Sequence, residues 1–277
     1  MDRDRTLERF KAGTEIYGDD FSQAEINEWF ADEAEGYAEI VPEEHKDNFD
    51  EYKLITEKTL YRWLRKTGRK NWKILSYGGG YGTELLPILD IVSDITVLEP
   101  GEKFQRDSIG GKPCRYIKPA PSGEMVFEDE SFDCIVCLGV LHHVPNISYI
   151  LREFSRVLRK DGVALIREPI TSMHAFEGIS RPGMTKRERG LPLVPFRQAI
   201  WDAGLTIQKE TLYEFGPLAF VRQRMGWRDT VLSIRLDAAL SKMFVWNYSY
   251  DSGSNKQILK KFRPSSAAFF VTKSEKR

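Results

Sequence analysis

Three glycines two apart, Gly78, Gly80 and Gly82, sit between two short apolar runs and constrain this chain more than any other feature. Lys73 to Tyr77 is apolar and β-prone and stops at the first glycine, whereas Thr83 to Leu89 carries apolar residues at helical spacing. The pattern predicts strand, tight turn and helix. A turn without Cβ atoms adopts positive φ readily and lets a ligand approach its backbone, with helix N–H groups facing the bound molecule. The next apolar run, Ile95 to Leu98, ends at Glu99, where a carboxylate can accept hydrogen bonds from both hydroxyls of a ribose. The two features together specify a nucleoside pocket. The Gly-x-Gly-x-x-Gly spacing of a dinucleotide site is not met, because Thr83 stands where the third glycine belongs, which argues against a nicotinamide oxidoreductase.

The segments that follow agree with this reading. Glu128 to Asp133 leads into the apolar run Cys134 to Leu138 and on to the pair His142 and His143. Ile150 to Asp161 reads as an amphipathic helix with a basic end and a glycine stop at Gly162, and Val163 to Ile166 as a further strand. In this order and spacing, residues 73 to 168 resemble the class I S-adenosylmethionine-dependent methyltransferases, the glycine turn being similar to their motif I. The resemblance implies an α/β fold with a doubly wound, seven-stranded, mostly parallel sheet. It implies S-adenosyl-L-methionine as cofactor, held by Gly78, Gly80, Gly82 and Glu99 with Tyr77 and Leu138 beside them. Two departures stand out. Ser76 occupies the position where the family most often carries an acid, and Pro119 to Glu124 lacks the acid expected near the adenine, leaving Ser122, backbone or Glu124 for that task.

Composition narrows the partners. The 277 residues fit one enlarged domain, and 41 basic against 41 acidic side chains create no global field for nucleic acid or an anionic surface. No run approaches the roughly 20 apolar residues of a membrane span. The charged start from Met1 to Arg5 has no leader-type apolar region, so a cytoplasmic enzyme is the expectation. The three cysteines suit no disulfide framework, and Cys134 and Cys137, three apart in a strand, point to opposite faces. With His45 and His174 completing no ligand pattern, no metal is expected.

Residues 1–70 read as a helical lid, and residues 71–277 as the core, with an insertion over 214–264 before the last strand. In the lid Ile26, Trp29, Phe30, Ala34 and Tyr37 recur at helical intervals, and Leu54, Ile55, Leu60, Tyr61 and Leu64 repeat the pattern. The bland reading is a helical cover on one sheet edge. The functional one resembles the aromatic leader that closes over the cofactor, with Tyr37 as lid residue. Arg181 to Gly190 is the sharpest basic cluster, either a solvated loop or a clamp in which Arg181 and Arg187 bind an anionic acceptor. Leu205 to Tyr213 and Ser266 to Lys273 read as the last two strands. Trp246, Tyr248 and Tyr250 in the insertion suit a satellite core, a homodimer surface or stacking platforms.

A hydroxyl acceptor must lose a proton during methyl transfer, and the histidine pair follows the fourth strand where open α/β sheets place their ligands. In an extended chain adjacent side chains point oppositely, so one histidine faces the pocket; His143 is the expected base, His142 its alternate. The chain also looks like methyltransferases of bacterial polysaccharide and secondary-metabolite pathways, which implies a small or carrier-linked acceptor, foremost a sugar or sugar-nucleotide oxygen. N- or C-methylation and a non-catalytic nucleoside-binding scaffold are the alternatives, the latter motivated by Ser76.

Overall fold

The apolar runs around the glycine turn pair edge to edge in the computed structural model, which describes residues 3–40, 50–173, 184–227, 229–251 and 258–274. Helices α1 (Arg3–Ala12), α2 (Gln23–Ile40) and α3 (Asp50–Ile55), a π-helical stretch Thr56–Tyr61 and α4 (Arg62–Lys66) lead to β1 (Trp72–Tyr77). Then come β2 (Val92–Leu98), the two-residue strands β3 (Ser108–Ile109) and β4 (Lys112–Pro113), β5 (Arg115–Ile117) and β6 (Phe132–Leu138). The second half runs α5 (Ile147–Val157), β7 (Leu158–Pro169), α6 (Leu193–Asp202), β8 (Leu205–Tyr213), α7 (Gly216–Met225), α8 (Val231–Met243) and β9 (Ser266–Lys273).

Seven strands form one sheet in the order β5-β2-β1-β6-β7-β9-β8, and only β9 runs antiparallel to its neighbours. This is the expected mostly parallel, doubly wound sheet. Parallel strands covered on both faces read as continuous apolar runs, and all seven residues of β6 are buried. On one face α5 presents Ile147, Ile150, Leu151, Phe154 and Val157, all fully buried, against Ile135, Cys137, Ala164 and Ile166. On the other, Ile55, Leu60 and Leu64 pack against Ile74, Cys134, Val136 and Leu165. Cys134 and Cys137 thus face opposite layers, and all three cysteines are free. No described helix is long and apolar enough to cross a membrane.

Two elements differ from the sequence expectation. The helix after the glycine turn is a six-residue 3-10 helix, Thr83–Ile88, with Pro87 inside it. Proline has no N–H to donate and its ring would collide with the carbonyl four residues back, so an α-helix cannot propagate there. The helix before β7 starts earlier and ends at Val157, so Gly162 is no helix stop. It lies within β7, where a Cβ would fall 2.7 Å from Leu158 Cγ.

The strand order reverses between β1 and β6, which opens a crevice beyond their C-terminal ends. The N-terminal segment reaches that edge through Asp19, which accepts Ser148 N at 2.7 Å and Ser148 Oγ at 2.5 Å at the start of α5. Trp29 Nε1 on α2 donates to the His143 carbonyl at 2.7 Å.

Phe154 is fully buried and meets Tyr77 edge-on with ring centroids 5.2 Å apart. Phe154→Ala is expected to lower the urea-unfolding free energy by about 3–5 kcal/mol; a loss below about 1 kcal/mol would show that α5 is not docked as described.

Candidate active site

A cavity opens in the crevice. Tyr77 and Gly78 come from the end of β1, and Leu98, Glu99 and Pro100 from the end of β2. Pro119, Ala120, Pro121 and Gly123 form one wall; Gly139, Val140, His143, Val144 and Pro145 after β6 form another; Phe30 and Glu33 of α2 close the cavity.

The glycine turn is drawn tightly onto its neighbours. Gly78 has φ +66°, its N–H donates to Leu98 O at 2.7 Å, and a Cβ there would lie 2.3 Å from Val140 Cγ1. Only glycine combines that dihedral with that approach. Gly80 N donates to Glu99 Oε2 and Gly101 N to Glu99 Oε1, both at 2.9 Å. Burial pushes the Glu99 carboxyl up and the two N–H donors pull it down, with a net rise. Each oxygen keeps acceptor capacity toward the cavity. Gly80 and Gly82 lie behind the lining; a Cβ on Gly82 would strike Ile109. Leu138 is likewise buried at the end of β6 and does not line the cavity.

Ser76 does not leave the turn without an acid. Its buried hydroxyl donates to Glu84 Oε1 at 2.7 Å, and a Cβ on Gly79 would lie 2.1 Å from Ser76 Oγ and 2.6 Å from Glu84 Oε1. The carboxyl absent from the strand is supplied by the 3-10 helix eight residues later. Burial raises Glu84 to about 7, against the lowering effect of its hydrogen bonds. On the opposite wall Glu124 is exposed and lies outside the cavity lining. Ser122 Oγ accepts Glu124 N, and Ser122 O accepts Asn146 Nδ2 at 2.8 Å. Asn146 Oδ1 is buried there without a hydrogen-bond partner.

The histidines do not point oppositely. Leu141–His143 is a 3-10 turn, and the two rings lie side by side with centroids 4.0 Å apart and planes tilted by 39°. Glu168 forces this shape: Oε1 accepts Val140 N at 3.0 Å and Leu141 N at 2.8 Å, while Oε2 accepts His142 N at 3.3 Å and meets His142 Nδ1 at 2.8 Å. Burial and the adjacent His143 hold His142 below its usual value despite Glu168. His142 lies outside the cavity, whereas His143 lines it.

His143 Nδ1 lies 2.7 Å from Glu33 Oε2, which also accepts Thr185 Oγ1 at 2.6 Å; Glu33 Oε1 accepts Arg187 N at 2.8 Å. Burial opposes ionisation of Glu33, but these donors outweigh it and lower its pKa. His143 Nε2 stands 3.7 Å from Glu188 Oε1, and His142, His143 and Glu188 bring their nitrogen and oxygen atoms within 4.8 Å of one another.

Arg187 is not at the cavity. Its Nε pairs with Asp32 at 2.5 Å and its Nη2 with Glu28 at 2.6 Å, so it ties the segment after β7 to α2. Arg189, fully buried, donates to Val144 O and Pro145 O and lies over the Trp29 ring. Arg181 lies outside the described residues, as does the side chain of Tyr37, whose backbone is part of α2. Phe30 and Glu33 are the described residues of this helix that line the cavity. Glu33 was discoverable as the acid four residues after Trp29, on the same helical face; Glu84, Glu168 and Thr185 carried no sequence signal of their partners.

Residues 75–166 match the family described as methyltransferase domain. Over 140 residues the chain is 31% identical to the ubiquinone/menaquinone biosynthesis C-methyltransferase UbiE of Bartonella quintana, covering 44% of this chain and 54% of that protein. Over 109 residues it is 28% identical to the sterol 4-C-methyltransferase strm-1 of Caenorhabditis elegans, covering 36% and 32%. The chain therefore spans about half or less of these relatives. Among solved structures it superposes on the 1,6-didemethyltoxoflavin-N1-methyltransferase of Burkholderia thailandensis, bound to its acceptor and S-adenosylhomocysteine, with TM-score 0.54, 14% identity and 90% of each chain covered. At that identity the likeness is one of fold.

Gly78→Val is expected to abolish nucleoside binding in isothermal titration, and wild-type affinity would remove the turn from the site. Glu84 has a folded pKa of about 7 against 4.5 unfolded, so the fold binds a proton that the unfolded chain releases, and stability falls as pH rises from about 4.5 to about 7. Glu84→Gln removes that loss: relative to wild type it is expected to gain up to about 3 kcal/mol between pH 5 and pH 8 in denaturant titrations. An unchanged pH slope would show that Glu84 ionises freely.

Proposed function

We propose that this chain, whose residues 75–166 match the methyltransferase domain family, uses S-adenosylmethionine to methylate an uncharged, largely apolar acceptor at an oxygen or acidic carbon that loses its proton as the bond forms. The observation that carries this reading is the Glu33–His143 pair at the cavity wall.

The residues present fit the cofactor. Glu99 offers its carboxylate to the ribose, Gly78 its backbone, and the Pro119–Pro121 wall a flat apolar surface for the base, with the unpartnered Asn146 Oδ1 behind it. S-adenosylmethionine supplies a methyl carbon that is already electrophilic on a cationic sulfur. Glu33 and Glu99 give an otherwise apolar cavity the sign that suits a cation. The described lining contains no lysine or arginine, so a sugar-nucleotide diphosphate would find no counter-charge there. That favours an apolar acceptor, in keeping with the quinone-pathway and sterol C-methyltransferases among the relatives.

The ionised Glu33 holds Nδ1–H of His143, which leaves the Nε2 lone pair to take the acceptor's proton. Glu188, 3.7 Å from Nε2, stabilises the imidazolium that results. His142, kept neutral by burial, is a positioning residue through Glu168. Helix α2 is the lid: Trp29 on the His143 carbonyl and Arg187 on Asp32 and Glu28 hold it over the cavity, excluding water and fixing donor against acceptor.

Titration with S-adenosylmethionine, S-adenosylhomocysteine and NAD(H) is expected to show binding of the two sulfur nucleosides alone; tight NAD(H) binding would overturn the donor. In an acceptor screen centred on quinols, phenols and sterols, His143→Ala is expected to lower kcat by about 10²–10⁴ with S-adenosylhomocysteine affinity retained. Glu33→Gln should lower it in the same direction. Unchanged turnover in His143→Ala would eliminate the base.

A further inference from the structure

Helix α8 buries one face and carries exposed apolar side chains on the other. Its inner face buries Ile234 in the layer formed with Tyr213 and Phe270, and sets Asp237 to accept Glu214 N at 2.7 Å and Phe215 N at 2.9 Å. Its outer face carries Leu232, Leu236 and Met243 at helical spacing, 76%, 48% and 64% exposed. Large apolar side chains exposed together on a helix whose other face is already buried mark an interaction surface. Neighbouring α7 adds Phe220 and Met225, and the turn after α8 adds Trp246, 75% exposed. These exposed apolar side chains, all on one insertion, are not explained by the cavity or by the sheet.

Charge identifies its occupant. Among the described residues, the exposed charged side chains beside these apolar ones are Arg224, Arg235 and Lys242, all cationic. The acids of the segment are turned away, Asp229 paired with Arg222 and Asp237 buried. Arg235 also stands near Lys58 and Arg62, where burial and these two like charges lower the Lys58 pKa, with Glu57 opposing. A second copy docked through the same face by a two-fold axis would set these cations against themselves. An anionic bilayer surface satisfies both features at once, taking the aromatic and aliphatic tips among its headgroups and the cations against its phosphates. We propose that α7, α8 and Trp246 form an interfacial docking surface for an anionic lipid membrane. The insertion leaves the sheet at the C-terminal end of β8, where Tyr213 pairs with Ser266 and Ser266 with Pro169, the same edge from which the cavity opens.

The test is vesicle flotation of the full chain. Vesicles of equal parts phosphatidylglycerol and phosphatidylcholine are expected to carry the protein, phosphatidylcholine alone is not, and high salt should release it. Arg235→Glu with Lys242→Glu, and separately Leu232→Glu with Met243→Glu, are expected to reduce partitioning at least about tenfold. S-adenosylhomocysteine affinity, which does not depend on this surface, should be unchanged in both variants and shows that they are folded. Failure to float with the anionic vesicles, or equal flotation with both vesicle types, overturns the proposal. So does a dimer by sedimentation velocity that Leu232→Glu dissociates, which would make the face a contact between copies.

Discussion

The pocket end of this molecule depends on one buried carboxylate. Glu168 closes β7 with no exposure to solvent and gathers the N–H groups of Val140, Leu141 and His142 together with the His142 ring. A carboxylate in that position is costly unless donors surround it, and the backbone after β6 coils to provide them. The coil sets two imidazoles side by side and turns His143 into the cavity. An extended chain at the same residues would separate them.

The same device recurs at several strand ends and in the loop around Met125. Backbone N–H groups lose their ladder partners there, and a buried partner must replace them. Glu99 takes up Gly80 and Gly101, Asp133 takes up Lys73, Glu153 takes up Met125, and Asp237 takes up Glu214 and Phe215. A small set of buried acids in an electrically balanced chain therefore serves as loop anchors. Its cationic partners are placed in turn by those anchors, as with Arg69 and Arg159 on Asp133.

Closure of the cavity follows the same electrostatics over a long sequence distance. Glu28, Asp32 and Glu33 on one helix meet Lys186, Arg187, Thr185 and His143. The basic run, which in the sequence reads as a solvated loop or an acceptor clamp, holds α2 down through Lys186 and Arg187 on Asp32 and Glu28. The cavity itself is left apolar, with Glu33 and Glu99 as its carboxylates.

What the sequence by itself determined was the frame. The apolar runs of β1, β2, β6, β8 and β9, the glycine turn and Glu99 were legible because their causes are local: strand period, missing Cβ atoms, and an acid at a strand end. Even there Pro87 shortened the helix after the turn, a local signal that the apolar spacing overrode in the reading. Only the tertiary structure decided how the site is wired. Glu33 beside His143, Glu168 beneath His142, Glu84 under Ser76 and Arg187 away from the cavity each join elements distant in the chain or redirect a side chain through a partner that periodicity cannot name. Buried charges take whichever donors the fold brings within hydrogen-bond reach, and that reach is set by sheet order and crossover packing, not by spacing along the chain.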